Sequence, residues 1–500
     1  MSRKQNHIEA TRLRLFSLGN IKTKLSLVGL CCYLLLSMNT SLSAKDGYNI
    51  KLKIDGVKDT VCYLGYHYGN KIYAEDTFDI NSKGVTVLAG EKKLPSGIYT
   101  VIIPKQGFFE ILIDQEQQEF SIETDTTHYI NTMTVKGSEL NALFNAYQRV
   151  LVNNQKQIGK LKKQKNNLPD AHLDSLDIID AKMGELNRVI NEHRLMVMKQ
   201  HPETFLATIF RSMKEPVIPE EIQKDKQSAY RYFRAHFWDD IDFTNEGLLR
   251  TPILKSKLDF YFERLVPKMP DSICVAAKEL IEKTKGNKKV FRYFTANLTY
   301  TYETSKTMGM DAVFVCLAEE YYMSGQAYWM DSSKMAKMKE RVYRLRPNLI
   351  GKQAPQLMLL DTADNKVNLY DVEADFTILY FYSYDCGHCK KSTPKWLDIY
   401  HEMKDKNVAV LGIVTKTDKK QWKKFIDKYK LDWINAYDPT GRSRMHAWYD
   451  IYSTPTVYVL DKNKKILAKR LGEDQAKQMI EHYRKEAEKE LKAKEKGKAK

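Results

Sequence analysis

One run constrains this chain more than any other feature. Phe376-Thr377-Ile378-Leu379-Tyr380-Phe381-Tyr382 is followed, after a short loop, by Cys386-Gly387-His388-Cys389. A short β-prone apolar run bounded by polar residues reads as a strand buried on both faces. A strand that runs into Cys-x-x-Cys at the start of a helix places the first sulfur beside unpaired N–H groups and the positive end of the helix dipole. Both favour a thiolate and lower the Cys386 pKa below its ordinary value of ~8.5. Two intervening residues set Cys389 one turn further on, within reach of a disulfide. The expected division of labour has Cys386 attack a substrate disulfide and Cys389 resolve the mixed disulfide. His388 adds a titratable donor whose protonated form favours the thiolate further. Stabilising the reduced thiolate makes the disulfide form more oxidising than a Gly-Pro centre would be. A zinc site would need two more ligands at suitable spacing, and the chain has no second Cys-x-x-Cys. A static disulfide is disfavoured because a two-residue loop at a helix start is strained and reducible.

Around this centre the pattern alternates between β and α, the mark of an α/β sheet. Leu357–Leu360 and Lys366–Leu369 form a hairpin around Asp364-Asn365. A helix is expected over Lys390–Lys404, a strand over Val408–Val414 and a helix over Lys419–Tyr429. Thr456–Leu460 pairs with Lys465–Lys469 through a turn, and a last helix runs from about Asp474 into a Lys/Glu-rich tail, 476–500. Arg346–Gly351 reads as a boundary, so this α/β domain is assigned to 347–475.

Upstream, two other periods appear. Residues 45–137 alternate, as in Tyr48–Ile54, Val61–Leu64, Gly97–Ile103 and Phe108–Ile113, with turn chemistry at Asp55-Gly56, Gly69-Asn70 and Gly107. A small antiparallel sandwich or barrel is expected. Residues 138–346 switch to helical spacing, as in Leu140, Leu143, Tyr147 and Leu151, with a hairpin break near Asn166–Asp170. Its many aromatics, Trp238, Tyr261 and Phe294 among them, read as core. The fold class is therefore multidomain α+β: a small antiparallel β domain, a central all-α region and a C-terminal α/β domain.

The net charge of +17 is not a binding stripe. Much of it sits in residues 1–44 and in the tail, and no nucleic-acid reader motif is visible, so nucleic acid is not an expected partner. In residues 1–44, Arg3, Lys4, Arg12, Arg14, Lys22 and Lys24 precede an apolar run, Leu25–Met38. As a helix it spans about 21 Å, short of the ~30 Å hydrocarbon core, so a signal peptide fits better than a stable span. Cleavage after Ser43 or Ala44 is expected, and an uncleaved anchor is the alternative. Of seven cysteines, Cys31 and Cys32 lie in this segment. Cys62, Cys274 and Cys316 stand among apolar neighbours and read as buried small hydrophobes rather than as a pair.

Ile350-Gly351-Lys352-Gln353-Ala354-Pro355, the Cys386–Lys391 run, Pro394 and Thr454-Pro455-Thr456 together resemble the TlpA/ResA-type envelope thioredoxins over residues ~347–475. The upstream regions are similar to the N-terminal extensions of Bacteroidetes envelope thioredoxin-like proteins. The resemblance implies a thioredoxin fold. It also implies a cis Pro455, with Thr454 beside the cysteines offering backbone groups to an extended substrate strand, and a helix kinked at Pro394. Two departures stand out. Thioredoxins carry a buried Asp where this chain has Tyr380, and many ResA-type members carry a Glu where it has Ser392.

The function expected is an extracytoplasmic thiol–disulfide oxidoreductase of the periplasm or cell envelope that reduces substrate proteins. An oxidase or isomerase, and a scaffold with a vestigial redox domain, are the alternatives. A peroxidase of the peroxiredoxin kind is weakened because Leu379 stands where its motif needs Pro, although Ser383 fits. Substrate proteins with disulfides or thiols and a membrane electron donor or acceptor are the expected partners. No cofactor is implied.

Overall fold

Period-two burial shapes the N-terminal part of the computed structural model, which describes residues 47–168 and 173–498. The expected targeting segment, 1–44, lies outside the described residues. Eight strands follow: β1 (Tyr48–Asp55), β2 (Thr60–Tyr68), β3 (Lys71–Ile80), β4 (Val85–Gly90), β5 (Gly97–Ile103), β6 (Gly107–Ile113), β7 (Glu119–Asp125) and β8 (Thr134–Lys136). They make two four-stranded sheets, in the orders β4-β1-β7-β8 and β3-β2-β5-β6. Ile50, Leu52 and Ile54 of β1 and Tyr99, Val101 and Ile103 of β5 point into one core between them. Cys62 belongs to that core, and burial pushes its thiol up to about 11. The pairing is antiparallel except between β1 and β7, which run parallel. A parallel pair needs a long crossover, and here the crossover contains all the strands from β2 to β6.

Two 28-residue helices, Glu139–Asn166 and Leu173–Gln200, form the hairpin that the helical spacing indicates. The Ser138 side chain caps the first by accepting from the Asn141 N–H. Asn141 in turn clamps this helix to β6, exchanging 2.8 Å hydrogen bonds with both the N–H and the C=O of Leu112. The helices that follow share an aromatic-rich core containing Phe210, Trp238, Tyr261, Phe294 and Phe314.

Cys274, on helix Pro270–Lys283, and Cys316, on helix Asp311–Leu317, form a disulfide with their Cα atoms 6.4 Å apart. This corrects the expectation that both are unpaired core residues. Apolar sequence neighbours mislead on a helix, where successive side chains point about 100° apart. Ile273 is buried while Cys274 is only half-buried and Val275 is exposed.

The C-terminal α/β domain is a seven-stranded sheet. Its strands are β9 (Met358–Leu360), β10 (Lys366–Asn368), β11 (Phe376–Tyr382), β12 (Val408–Val414), β13 (Ile434–Tyr437), β14 (Thr456–Asp461) and β15 (Ile466–Lys469), in the order β10-β9-β13-β12-β11-β14-β15. β11 sits inside the sheet, parallel to β12 and antiparallel to β14, and all seven of its residues are buried. Alternation sends Ile378, Tyr380 and Tyr382 to one face, with Cys389, Trp396 and Trp422, and Leu379 and Phe381 to the other, with Tyr449 and Tyr458. Strand β13 has no counterpart in the sequence reading, because Ile434-Asn435-Ala436-Tyr437 offers too little apolar pattern over four residues.

A buried cation ties the helical region to this sheet. The Lys469 ammonium, on β15, pairs with Asp311 and donates to the Asn348 backbone O and Oδ1, each at 2.9 Å.

Candidate active site

Strand β11 ends at Tyr382, and the chain turns through Ser383-Tyr384-Asp385 into the helix Gly387–Met403. Cys386 is the N-cap of that helix, and its Sγ accepts from the Cys389 N–H at 3.4 Å. The helix thus starts at Gly387, three residues before the sequence places it, because a cysteine sulfur takes the place usually filled by a Ser or Asp oxygen. Pro394 lies inside it.

The two sulfurs occupy different environments. Cys386 is half-exposed, and its Sγ lies 3.2 Å from the Thr454 carbonyl oxygen, to which the thiol donates. Its partial burial works against ionisation. A side-chain hydrogen bond with Thr454 and donation from the Cys389 and His388 N–H groups outweigh that burial and hold the thiol below its ordinary range. Cys389 is 0% exposed, and burial pushes it up to about 11 even though the Ser383 N–H donates to its sulfur at 3.5 Å. The site therefore pairs one thiol poised to ionise with one held neutral behind it.

Of the other residues singled out in the sequence, Thr454 meets Cys386 directly, and Pro455 follows it in the chain. The Thr454–Pro455 bond is cis, and the Thr454 carbonyl faces Cys386. His388 is exposed on the first helical turn and makes no side-chain hydrogen bond to another described residue.

Tyr380 and Ser392 touch each other, their hydroxyl oxygens 2.9 Å apart. The Tyr380 hydroxyl also lies 2.9 Å from Thr393 Oγ1, and burial pushes the phenol well above its usual range. Tyr382 stacks on Tyr380 with ring centroids 5.3 Å apart, and its hydroxyl accepts from Trp422 Nε1 at 2.8 Å. A floor of hydroxyls and rings thus lies beneath Cys389, with no ionised group among these contacts.

Sequence reasoning missed the wall beside Pro455. A groove of about 360 Å³ is lined by Arg341, Asp450, Tyr452, Ser453, Pro455 and Arg470 among others. Arg341 comes from helix Ser332–Leu345 of the helical region, and no sequence signal connects a surface arginine to a loop more than a hundred residues later.

Residues 350–469 match the AhpC/TSA family. Residues 182–348 and 48–144 match two domains of unknown function (DUF5106 and DUF4369). Thiol-disulfide oxidoreductase ResA of Bacillus cereus is 28% identical over 134 residues, covering 27% of this chain and 76% of the relative. Thioredoxin-like protein YneN of Bacillus subtilis is 30% identical over 131 residues, covering 26% of this chain and 75% of the relative. A thioredoxin-like protein from Bacteroides caccae aligns structurally with a TM-score of 0.44 at 23% identity, covering 54% of this chain and 98% of that one. Through its C-terminal α/β domain, the chain belongs to the ResA/TlpA-type thioredoxin-like thiol–disulfide oxidoreductases of the AhpC/TSA family.

Proposed function

We propose that Cys386 and Cys389 form the redox centre of an extracytoplasmic enzyme that reduces disulfides in substrate proteins. The observation that carries this reading is the asymmetry of the two thiols: Cys386 caps a helix with its pKa lowered, and Cys389 is sealed behind it with its pKa raised. The Cys386 thiolate attacks one sulfur of a substrate disulfide. The new bond is Cys386–S–S–substrate, and the other substrate sulfur leaves as a thiolate that takes a proton from water. Cys389 then loses its proton and attacks Cys386, the mixed disulfide breaks, and the second substrate sulfur leaves. Two electrons pass from the Cys386/Cys389 dithiol to the substrate, and an external dithiol, supplied through a membrane donor, restores the starting state. Thr454 faces the attacking sulfur through its carbonyl, and with Pro455 it offers backbone groups to an extended substrate segment.

Export is supported by the basic and apolar pattern of residues 1–44 and, independently, by the Cys274–Cys316 disulfide, a bond that persists in oxidising compartments. Among the described residues no helix is long and apolar enough to cross a membrane. We assign residues 45–137 and 138–346 to modules that position or select substrate, 347–475 to the redox domain and 476–500 to a helical tail.

A second reading, oxidase or isomerase, is favoured by the lowered Cys386 and by His388 beside it. The reduction potential, measured by equilibrating the full chain with glutathione buffers, separates the two. A value near about −270 mV supports reduction, and one between about −180 and −120 mV overturns that direction.

A further inference from the structure

The groove beside Pro455 is built jointly by the redox domain and the helical region. Tyr452, 64% exposed, stands three residues before Pro455. Two arginines from helix Ser332–Leu345 cover its ring, with the guanidinium carbons of Arg344 and Arg341 at 4.3 and 5.4 Å from the ring centroid. Arg341 Nη1 donates to both carboxylate oxygens of Asp450, at 2.8 and 3.0 Å, and Arg470 pairs with the same carboxylate. Arg344 lies 3.6 Å from Asp450 and has a second anion, Glu340, also at 3.6 Å. Asp450 is 0% exposed in its side chain, while Arg470 is half-exposed and Arg341 retains an exposed edge. Among the groove's lining residues, Arg341 and Arg470 share one buried carboxylate and leave a surplus positive charge at the surface.

This charge lies beside the loop that faces Cys386. Tyr452, Ser453, Thr454 and Pro455 are consecutive, and the Thr454 carbonyl is 3.2 Å from Cys386 Sγ. A segment laid along this loop with its cysteine at Cys386 brings its flanking side chains over the groove.

Resting on the oxidoreductase reading, we infer that the groove is a specificity subsite. It selects substrate segments carrying a carboxylate side chain next to the cysteine under attack, and Arg341 is the residue through which the helical region takes part in that choice. Arg470 supplies the second donor fork, and Tyr452 is the apolar platform against which the substrate chain lies. Guanidinium forks suit carboxylates through paired N–H donors, which a Lys side chain supplies less well. The exchange chemistry is unchanged, and only the flanking recognition is added.

The test compares two short peptides, each as its symmetrical disulfide, with either glutamate or lysine on both sides of the cysteine. Attack by the fully reduced full-length chain is timed on each. Every rate is divided by that of dithiothreitol with the same peptide, which cancels the leaving thiol's own reactivity. The normalised glutamate rate is expected to exceed the lysine rate by about fivefold at low salt, and salt should shrink the ratio. Arg341→Gln is expected to bring the ratio close to one and Arg341→Lys to keep part of it. A wild-type ratio of one, a preference for lysine, or an undiminished ratio in Arg341→Gln would overturn the inference. If Arg341→Gln does not fold, the wild-type ratio and its salt dependence still decide. Failure of the reduced chain to react with either peptide would overturn the oxidoreductase reading instead.

Discussion

The hydroxyl of Tyr380 lies 2.9 Å from that of Ser392, so the two positions where related thioredoxins hold carboxylates are joined to each other beneath Cys389. Neither group is a base near neutral pH, and burial pushes the Tyr380 phenol further from ionisation. In the proposed exchange Cys389 gives up its proton to His388 or to water rather than to a carboxylate at these positions, and a resolving step slower than at a carboxylate-bearing centre is expected. In Tyr380→Phe we expect the lifetime of the mixed disulfide to be unchanged. Stability should fall by about 1 kcal/mol, because Ser392 and Thr393 lose a hydrogen-bond partner. Ser392→Glu should shorten that lifetime. Quenched-flow trapping with a substrate peptide measures both, and a tenfold longer lifetime in Tyr380→Phe would place the phenol on the proton path.

The thiols should titrate apart. Iodoacetamide is expected to modify Cys386 from below the ordinary thiol range upward, as its thiolate forms, and to spare Cys389 until the pH nears about 11. A buried thiol with a raised pKa contributes stability that is complete below its unfolded value of ~8.5 and lost as pH climbs toward the folded value. Reduced Cys386→Ser should accordingly lose stability between these limits, and Cys386→Ser/Cys389→Ser should lose less. Mass spectrometry of alkylated protein and urea melts across that range check the two claims. Equal alkylation of both cysteines at neutral pH would refute the asymmetry.

The Cys274–Cys316 disulfide closes a separation of 42 residues. In the chain-entropy picture its removal costs about 4 kcal/mol. Cys274→Ser/Cys316→Ser should unfold at lower urea concentration while keeping its exchange chemistry at Cys386. A melt unchanged by the double substitution would show that the pair contributes nothing to stability.

Lys469 joins β15 to Asp311 and Asn348. Lys469→Met leaves a partly buried carboxylate and two acceptors without their donor, and a loss of about 3 kcal/mol is expected. Adding Asp311→Asn should restore part of it, since the stranded charge is then gone. A double-mutant cycle by chemical denaturation gives the coupling, and additive effects would rule the pairing out as a stabilising contact.

Local patterns carried much of this architecture. Phe376–Tyr382 and the helix-opening Cys386–Cys389 depend on period and capping, which a sequence displays directly. What stayed hidden depends on partners distant in the chain. The β1–β7 parallel pair, the Cys274–Cys316 bond and the approach of Arg341 to Asp450 each join segments whose proximity is set by packing. Tyr380 and Ser392 were visible as departures, but their mutual hydrogen bond follows from strand β11 facing the redox helix.

Disulfide exchange at this site stands or falls with Cys386 as its nucleophile. The most direct test is reduction of insulin disulfides, in the presence of dithiothreitol, by the full chain and by Cys386→Ser, followed as turbidity. The wild type should accelerate precipitation, and the variant should fall to the rate of dithiothreitol alone. Equal acceleration by both proteins would contradict the account.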